Sequence, residues 1–365
     1  MDLGQSSRKE IEKRREEERL IKVRNELVNY DFHAGPRVMK ESFRGLDVDD
    51  IDLIRIALIG PAASGKTSFV GTLQRAIGET QSSFEQGTGR EGTILLEECY
   101  VQKGIRLIDT RGFLEANEEI VDECLEIVSG RIRPGEEISR DYDDNKEGKP
   151  GNSAATRTPS LARCAHAVIF VVKANDPCLS DGKYRKIFRA IKGNLRQDGY
   201  APVTVITFLD ELKTEEHKEE ASDLASAVTG SSSERTYFIA NYTHENAKQS
   251  NEVDLLALEI LDSVLLLAEK FILVRKQREK NEMDREVMAK AGAFSFGESL
   301  EQFFTRLKNK YHWTDQGRLE ALRKELRRRR ITTVRTLRAI WDDINSELPL
   351  SIGIKKTLEK EFKRM

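Results

Sequence analysis

The sequence has no stretch close to the roughly 18 consecutive apolar residues that a membrane-spanning helix requires. Its first residues, MDLGQSSRKEIEKRREEE, lack the apolar core of a secretory signal. The glycine at position 4 is not placed for N-myristoylation. We therefore expect a cytoplasmic protein without a transmembrane segment.

Cysteine and histidine are also scarce. The four cysteines form neither a C-x-x-C pair nor a metal-binding spacing, so we expect free thiols in a reducing compartment. The five histidines are scattered, and no nucleophile–histidine arrangement or metal cluster is visible. His166 directly precedes an apolar run, and we expect it to pack there. The cysteines are Cys99, Cys124, Cys164 and Cys178.

Net charge is small, at −2, but it is unevenly distributed. Residues 281–365 carry 19 Lys and Arg against 13 Asp and Glu, so this end of the chain is basic. Residues 8–30 mix Glu with Lys and Arg at helical spacing and have few apolar positions. This pattern predicts a charged helix, lightly docked on the main domain. Because acidic and basic residues balance there, nucleic acid is not expected as a partner.

Short apolar runs alternate with helical stretches between residues 49 and 278. Such runs, bounded by loops, indicate buried strands, and the intervening helices indicate a mostly parallel sheet. ILLEECYV and IRLIDT are separated only by QKG, so this pair is expected to be antiparallel. The pattern predicts an α/β fold with helices on both faces. The runs are IRIALIG, ILLEECYV, IRLIDT, AVIFVVK, VTVITFLD and TYFIA.

The remaining segments differ in composition. Residues 130–160 are rich in Gly, Pro, Asp and Ser, which indicates a long loop. Strand signals stop after about residue 280, and candidate helices follow at 297–310, 316–329, 332–345 and 351–364. We predict a charged helical segment (1–48), an α/β domain (49–278), a linker (279–295) and a small all-α bundle (296–365).

GPAASGKTS, residues 60–68, fits the phosphate-loop pattern G-x-x-x-x-G-K-[ST]. A predicted strand precedes it and a predicted helix follows, which is the context that this pattern requires. The glycines let backbone N–H groups face phosphate, Lys66 would neutralise the β- and γ-phosphates, and Thr67 would bind Mg²⁺. The sequence thus predicts a Ras-like P-loop NTPase fold. The predicted nucleotide-binding residues of this loop are Gly60, Ala63, Ser64, Gly65, Lys66, Thr67 and Ser68.

A second motif, DTRG, follows the predicted strand IRLI. Asp109 ends that strand, where a Walker-B carboxylate orders the water ligands of Mg²⁺. Gly112 completes the D-x-x-G form of GTPases, in which the glycine N–H meets the γ-phosphate. AAA-type ATPases usually carry Asp-Glu at this point. The predicted metal ligands are therefore Thr67 and Asp109.

A third motif concerns the base. GTPases place N/T-K-x-D after the corresponding strand, and its aspartate accepts hydrogen bonds from guanine N1 and N2 that adenine cannot donate. The chain has Asp210 in TFLD, but Phe208 replaces the lysine. Guanine is therefore favoured without being settled. The loop at Asn241, after TYFIA, would cover the base.

A switch threonine is expected between the phosphate loop and Asp109, where it would bind Mg²⁺ in the GTP-bound form. QGTGREGT offers Thr88 and Thr93. Thr93 directly precedes ILLEECYV and is our candidate as metal ligand and, with Lys66, as catalytic residue. A simple turn threonine remains an open alternative.

The residues after Asp109 bear on the rate of hydrolysis. Ras-like proteins follow D-x-x-G with a glutamine that orients the attacking water, and here that position is Phe113. Arg111 either supplies charge in cis or is solvated. Intrinsic hydrolysis is therefore expected to be slow.

Six stretches occur in the order GPAASGKTSF, DTRGF, EIVSGRIRPGEE, TPSLARCAHAVIFVV, ITFLD and IANYTHEN. On these, residues 54–267 resemble the interferon-induced protein 44 family of immune-related GTPases. The resemblance implies a cytoplasmic guanine-nucleotide-binding domain associated with innate or antiviral responses. Its functional residues carry over to Lys66, Thr67, Asp109, Gly112 and Asp210.

LPLSIGIKKTLEKEF, residues 348–362, resembles the last helix of SAM-like bundles and the turn before it. Such bundles pair acidic and basic faces. The resemblance implies that the C-terminal domain binds a protein partner or associates with itself.

We therefore predict a guanine-nucleotide-binding protein that uses GTP/GDP and Mg²⁺, as a slow GTPase or a nucleotide switch with an interaction domain. One alternative is a P-loop ATP-dependent phosphotransferase, which would need an arginine-rich lid. The 130–160 loop, with Arg131, Arg133 and Arg140, could be misread as such a lid, but the D-x-x-G motif and Asp210 argue against this alternative. The other alternative is a non-catalytic scaffold in which the nucleotide is structural.

Overall fold

The chain divides into two compact units, Met1–Gln277 and Arg278–Met365. The computed structural model describes residues 3–38, 41–78, 95–114, 117–138, 140, 157–243, 248–290, 300–313, 316–329, 331, 333–348 and 350–364.

Six strands in the described part of the first unit form one mixed sheet. They are β1 (Ile54–Ile59), β2 (Glu97–Gln102), β3 (Ile105–Asp109), β4 (Ala167–Lys173), β5 (Val203–Thr207) and β6 (Thr236–Phe238). Their order is β2-β3-β1-β4-β5-β6, and every neighbouring pair is parallel except β2 with β3. The predicted α/β sheet and the predicted antiparallel pair are both confirmed.

The central strands form because their apolar runs are buried on both sides. All five residues of β5 are buried, as are six of the seven in β4. Parallel strands covered on both faces need such continuous apolar sequence. Because β1, β3, β4 and β5 run parallel, Ile59, Asp109, Lys173 and Thr207 end at the same edge of the sheet.

The helices of this unit begin and end at recognisable signals. Asn117 and Thr214 cap the helices that follow them through their side chains, and Gly78 ends one in the left-handed conformation. The helices are α1 (Leu3–Val28), α2 (Lys66–Ile77), α3 (Glu118–Val128), α4 (Pro177–Ser180), α5 (Arg185–Gln197), α6 (Glu215–Thr229) and α7 (Asn251–Lys290). Among them, α1 packs against α2, α5 packs against α3 and α6, and α4 packs against α6.

The predicted N-terminal segment belongs to the same core as the sheet. Leu20 and Leu27 of α1 are buried, whereas residues 10–16 are exposed. Arg24 donates from Nε to the carbonyl of Ala76, 2.7 Å away. The apolar positions in the C-terminal half of α1 thus attach it to the core, while residues 10–16 remain solvated.

Helix α7 crosses much of the predicted linker, since 279–290 is helical. Its charged sequence, KQREKNEMDREVMAK, has no glycine or proline to end a helix before residue 290. No helix of the described residues is both long and apolar enough to cross a membrane.

Helix α7 continues past Gln277 into the second unit, and beyond it the described part of this unit contains five helices. They are α8 (Leu300–Tyr311), α9 (Gln316–Arg328), α10 (Val334–Ala339), α11 (Trp341–Ile344) and α12 (Ile352–Arg364). The single helix predicted at 332–345 is two, because Ile340 leaves the helical conformation with φ −110° and ψ 9°. Phe303, Trp341 and Phe362 pack in its core. An all-α C-terminal region is confirmed, and its SAM-like assignment stays a prediction.

A buried carboxylate connects two helices of this second unit. Glu361 on α12 is 1% exposed and accepts hydrogen bonds from Lys310, at 3.0 Å, and from the hydroxyl of Tyr311. Burial raises the pKa of Glu361, but these hydrogen bonds outweigh it and hold the pKa below its ordinary value. α8 and α12 are therefore tied by charge as well as by apolar packing.

His166 is packed at the start of β4, as predicted. Its Nδ1 accepts the N–H of Arg55 at 3.0 Å, and its Nε2 lies 2.8 Å from the carbonyl of Leu161, so Nε2 carries the proton. Burial lowers the pKa of His166 to about 4 from an ordinary value of 6.5. At pH values between about 4 and 6.5, the imidazole is therefore neutral in the folded protein, whereas in the unfolded chain it is protonated.

Stability of the first unit is expected to fall as pH is lowered from about 6.5 to 4. The unfolded state gains a proton on His166 in this window and the folded state does not, which lowers the free energy of unfolding by about 3 kcal/mol. Urea unfolding of His166→Gln should lack this component, whereas His217→Gln, at an exposed position on α6, should keep it. If the free energy of unfolding depended on pH in the same way in wild type and in His166→Gln, the prediction would be contradicted.

Candidate phosphate-binding site

The loop between β1 and α2 has the backbone of an anion site. Gly65, directly before α2, is left-handed with φ 83° and ψ 24°, and Ala63 has φ 58°. A positive φ is uncommon for alanine and is maintained only where the surroundings impose it. Left-handed residues in a loop turn N–H groups to one side, and the N-terminus of α2 adds a favourable dipole for an anion.

Two glycines are required here by close packing. A Cβ on Gly60 would lie 2.0 Å from the carbonyl oxygen of Val171 on β4. A Cβ on Gly112 would lie 2.5 Å from Cα of Ala62 and 3.0 Å from Nζ of Lys66. The D-x-x-G turn therefore packs directly against the phosphate loop.

Lys66 is enclosed by the loop that precedes it. Its side chain is 7% exposed, and Nζ donates to the carbonyls of Gly60 at 3.0 Å and Pro61 at 2.9 Å. The ammonium group is thus held against the carbonyls of the loop itself. Ser64 is buried in the same loop, and its Oγ has no hydrogen-bond partner among the described residues.

Thr67 and Asp109, the predicted metal ligands, are in contact. Thr67 Oγ1 donates to Asp109 Oδ2 at 2.6 Å, and Asp109 is 1% exposed. Burial raises the pKa of Asp109, against the lowering effects of the Lys66 charge and the Thr67 hydrogen bond. Its second oxygen, Oδ1, has no partner among the described residues. A hydroxyl beside a buried carboxylate with a vacant lone pair fits the oxygen ligands that Mg²⁺ prefers.

Two side chains that the motifs did not assign to the phosphate loop hold its backbone in place. Thr207, at the end of β5, donates from Oγ1 to the carbonyl of Ser64 at 2.7 Å. Asn241, after β6, donates from Nδ2 to the carbonyl of Gly65 at 3.1 Å. Thr207 is the last residue of β5, and Asn241 lies shortly after the end of β6, so both are at the carboxyl edge of the sheet. A polar residue at the end of an apolar run was the signal available in the sequence.

The predicted base reader, Asp210, lies in the turn after β5. It is exposed in a 3₁₀ turn, Leu209–Glu211, and Phe208 before it has φ 60°. Lys173, at the end of β4, lies over the Phe208 ring with Nζ 4.1 Å from its centroid. The N/T-K-x-D motif has a lysine at the position of Phe208. Here a lysine from another strand, Lys173, lies against the ring of that phenylalanine instead. Because it follows β5, Asp210 lies at the same edge of the sheet as the phosphate loop.

The D-x-x-G turn is anchored on its far side by Phe113. This side chain is 1% exposed and packs edge-on against Tyr184 and Phe188. The carbonyl of Phe113 accepts the N–H of Ala62 at 2.9 Å. Phe113 is thus part of the core and does not face a ligand.

Two arginines considered in the sequence are buried rather than solvated. Arg111 is 6% exposed and donates to the carbonyl of Ile138 at 2.7 Å, so the solvated alternative for it is wrong. Arg140 is 3% exposed and pairs with Glu123 of α3 through two bonds of 2.8 Å. A buried, paired Arg140 cannot serve as a mobile lid residue. Glu123 carried no signal in the sequence, because it is one of several glutamates on an amphipathic helix.

The candidate switch threonines, Thr88 and Thr93, lie outside the described residues, and so does most of the second half of the 130–160 loop. Among the remaining predicted residues, Ser68 contributes its carbonyl to the Thr72 hydroxyl at 2.8 Å. The structure therefore brings together Gly60, Ala63, Ser64, Gly65, Lys66, Thr67, Asp109 and Gly112.

No protein-family model and no curated protein sequence matches the chain. Among solved structures, a mutation variant of SsGBP aligns with TM-score 0.32 and 15% identity over 60% of this chain and 59% of that chain. A second SsGBP variant aligns with TM-score 0.30 and 15% identity over 60% and 58%. The bacterial selenocysteine-specific elongation factor EF-Sec aligns with TM-score 0.33 and 14% identity over 60% and 29%. The chain thus spans less than two thirds of these proteins.

Replacing Gly60 by alanine should destabilise the first unit by about 1–3 kcal/mol, because β4 must move away from the added methyl group. The measurement is the free energy of unfolding in urea. Gly193→Ala is the matched control, since a Cβ there meets no atom within 4 Å and lies inside α5. It should be neutral or stabilising by up to about 1 kcal/mol. A neutral Gly60→Ala would contradict the packing described here.

Asp109→Asn should stabilise the protein in the absence of nucleotide and Mg²⁺ at neutral pH. Because burial raises the pKa of Asp109, ionisation costs more in the folded than in the unfolded state, and stability is lost as pH rises through the raised pKa. The amide cannot ionise and can still accept the Thr67 bond. The gain should shrink in acid, where wild type is protonated too.

The control for this comparison is Asp122→Asn, at an exposed position on α3, which should change stability by less than about 0.5 kcal/mol. A lower stability of Asp109→Asn than of wild type at neutral pH would contradict the prediction. It would mean that charges or hydrogen bonds in the folded state fully compensate the ionised carboxylate.

Proposed function

We propose that this protein binds GTP and GDP with Mg²⁺ and acts as a nucleotide switch or slow GTPase. The observation that carries the proposal is the contact between Thr67 and Asp109 beside Lys66. A buried carboxylate with an unpartnered oxygen is costly in a protein that only needs to fold. It is useful where a cation with bound phosphate supplies the missing partner.

Each part of the site has a role at the phosphate end of the ligand. The N–H groups of the loop and the Lys66 ammonium would hold the phosphates. Thr67 would bind Mg²⁺ directly and Asp109 through water, and the N–H of Gly112 would meet the γ-phosphate. When bound, Mg²⁺ supplies charge neutralisation between the β- and γ-phosphates. Thr93 remains the proposed switch ligand.

The preference for guanine is proposed from Asp210, whose exposed carboxylate follows β5 at the ligand-binding edge of the sheet. A carboxylate accepts hydrogen bonds and donates none, so it suits the N1 and N2 donors of guanine. Adenine does not carry two such hydrogen-bond donors on the corresponding edge of the base.

Slow hydrolysis is supported by the groups around the D-x-x-G turn. Phe113 packs in the core and cannot orient a water molecule. Arg111 donates to the carbonyl of Ile138, which directs that nitrogen toward backbone rather than toward the phosphate loop. Attack of water in line with the γ-phosphate would then lack the usual positioning side chain, unless a partner supplies one.

The wider biological role is proposed from sequence resemblance alone. The motifs shared with the interferon-induced protein 44 family suggest an innate immune or antiviral setting. The helical C-terminal unit, if SAM-like, suggests a protein partner or self-association. A structural nucleotide in a non-catalytic scaffold differs from the switch in one respect, because it would never turn over or change the state of the protein.

The proposal is tested by fluorescent mant-GTP and mant-ATP binding to the full chain with Mg²⁺, in parallel with phosphate release. Wild type should prefer GTP, and Lys66→Ala should lose affinity by a factor of at least about 100, since a charged contact to phosphate is removed. Asp210→Ala should weaken GTP binding and leave ATP binding unchanged.

Lys218→Ala, in a surface pair with Glu215 on α6, is the control and should bind like wild type. Retained affinity in Lys66→Ala would refute the phosphate site. Preferential binding of ATP would favour the phosphotransferase alternative over the GTPase.

A further inference from the structure

We propose that Arg140 is a positioning residue that fixes the backbone of Gly112 and thereby makes the protein discriminate GTP from GDP. This inference rests on the proposed function, because it concerns how the same site senses the γ-phosphate. It assigns a role to a residue outside the three nucleotide-binding motifs.

The guanidinium of Arg140 bonds to both carbonyls that flank Gly112. One terminal nitrogen donates to the carbonyl of Gly112 at 2.9 Å, and the other donates to the carbonyl of Arg111 at 3.3 Å. These two carbonyls belong to the peptide planes on either side of the Gly112 Cα. Arg140 therefore holds both planes at once.

Holding both planes fixes the conformation of the glycine. The peptide unit is planar and trans, so φ and ψ of Gly112 are the only soft torsions between the two planes. Glycine has the widest choice of these torsions and would otherwise be the most mobile point of the turn. In a trans peptide the N–H points opposite to the C=O. The bond from Arg140 to the Arg111 carbonyl therefore directs the Gly112 N–H away from the guanidinium.

The phosphate loop also packs closely against Gly112. The Cβ position of Gly112 lies within 3.0 Å of Lys66 Nζ and 2.5 Å of Ala62 Cα. Gly112 is thus held by the guanidinium of Arg140 through two carbonyls and lies in close contact with the phosphate loop. Its N–H would then be available to a terminal phosphate held by that loop.

The guanidinium is itself held rigidly. The carboxylate of Glu123 on α3 accepts two hydrogen bonds from Arg140, one from Nε and one from a terminal nitrogen, both at 2.8 Å. The side chain of Arg140 is 1% exposed and that of Glu123 is 8% exposed. Bidentate, charge-assisted bonds away from water are strong and geometrically specific. This one ion pair therefore holds the D-x-x-G turn in a fixed position relative to α3.

The chain segment that carries Arg140 also reaches the strand side of the site. We call residues 131–138 with Arg140 the clamp segment. Its Glu136 carbonyl accepts the N–H of Leu96 at 2.9 Å, and its Gly135 N–H donates to the carbonyl of Leu96 at 2.8 Å. Ile138 accepts from Arg111. One segment therefore contacts both the start of β2 and the D-x-x-G turn.

The consequence is specific to the triphosphate. The N–H of Gly112 would meet the γ-phosphate, which GDP lacks, so loosening the turn should weaken GTP binding and spare GDP binding. A hydrogen bond to a charged group corresponds to roughly a 10- to 100-fold difference in affinity. General loss of structure would lower affinity for both nucleotides together.

The test compares the affinities of the full chain for a non-hydrolysable GTP analogue and for GDP, both with Mg²⁺. Arg140→Lys keeps the charge but cannot reach Glu123 and two carbonyls together. It should lower GTP-analogue affinity about tenfold or more, and change GDP affinity less than about twofold. The double variant Arg140→Met with Glu123→Met removes both charges and avoids a buried unpaired carboxylate. It should show the same selective loss.

Arg157→Met is the matched control, because Arg157 pairs with Glu136 and the Arg131 carbonyl of the clamp segment. Its ratio of GTP to GDP affinity should equal that of wild type. Equal weakening of both nucleotides, or of neither, in folded Arg140 variants would overturn the inference and leave the proposed function intact. Wild type that binds neither nucleotide would instead overturn the proposed function, and the inference with it.

Discussion

The buried carboxylate of Asp109 is the constraint on which the arrangement of the first unit depends. Parallel pairing of β3 with β1 places it opposite Leu58, just before the phosphate loop. An ionised group at 1% exposure is costly unless charges or hydrogen bonds compensate it. Thr67 and the charge of Lys66 supply part of that compensation. The loop, the first turn of α2 and the D-x-x-G turn all pack around this group.

Three other carboxylates in the described part of the first unit are buried, but each is paired with an arginine from a distant segment. The pairs are Glu123 with Arg140, Asp254 with Arg24, and Glu269 with Arg37. These pairs attach α3, α1 and the chain after α1 to their neighbours. Among the described residues no arginine pairs with Asp109. These three carboxylates are thus neutralised by arginine, whereas Oδ1 of Asp109 has no hydrogen-bond partner among the described residues.

The D-x-x-G turn is held from three directions by different kinds of interaction. Phe113 anchors it by apolar packing against α5, and its carbonyl bonds to the phosphate loop. Arg140 binds the carbonyls on the side of α3. Phe113, at the position where Ras-like proteins carry glutamine, therefore stabilises the turn by apolar packing.

Local pattern by itself determined much of this protein. The apolar runs determined the strands, and glycine, lysine and threonine spacing in GPAASGKTS determined the phosphate loop, because these depend on near neighbours in the chain. Residues 332–345 formed two helices where the pattern predicted one. Only the tertiary structure decided which polar side chains act together. Thr207 and Asn241 bond to the phosphate loop, and Arg140 bonds to the carbonyls around Gly112, because the order of the strands and the path of the loops bring these residues together. They are far apart in the sequence, and a periodic pattern contains information only about residues that are close in the chain.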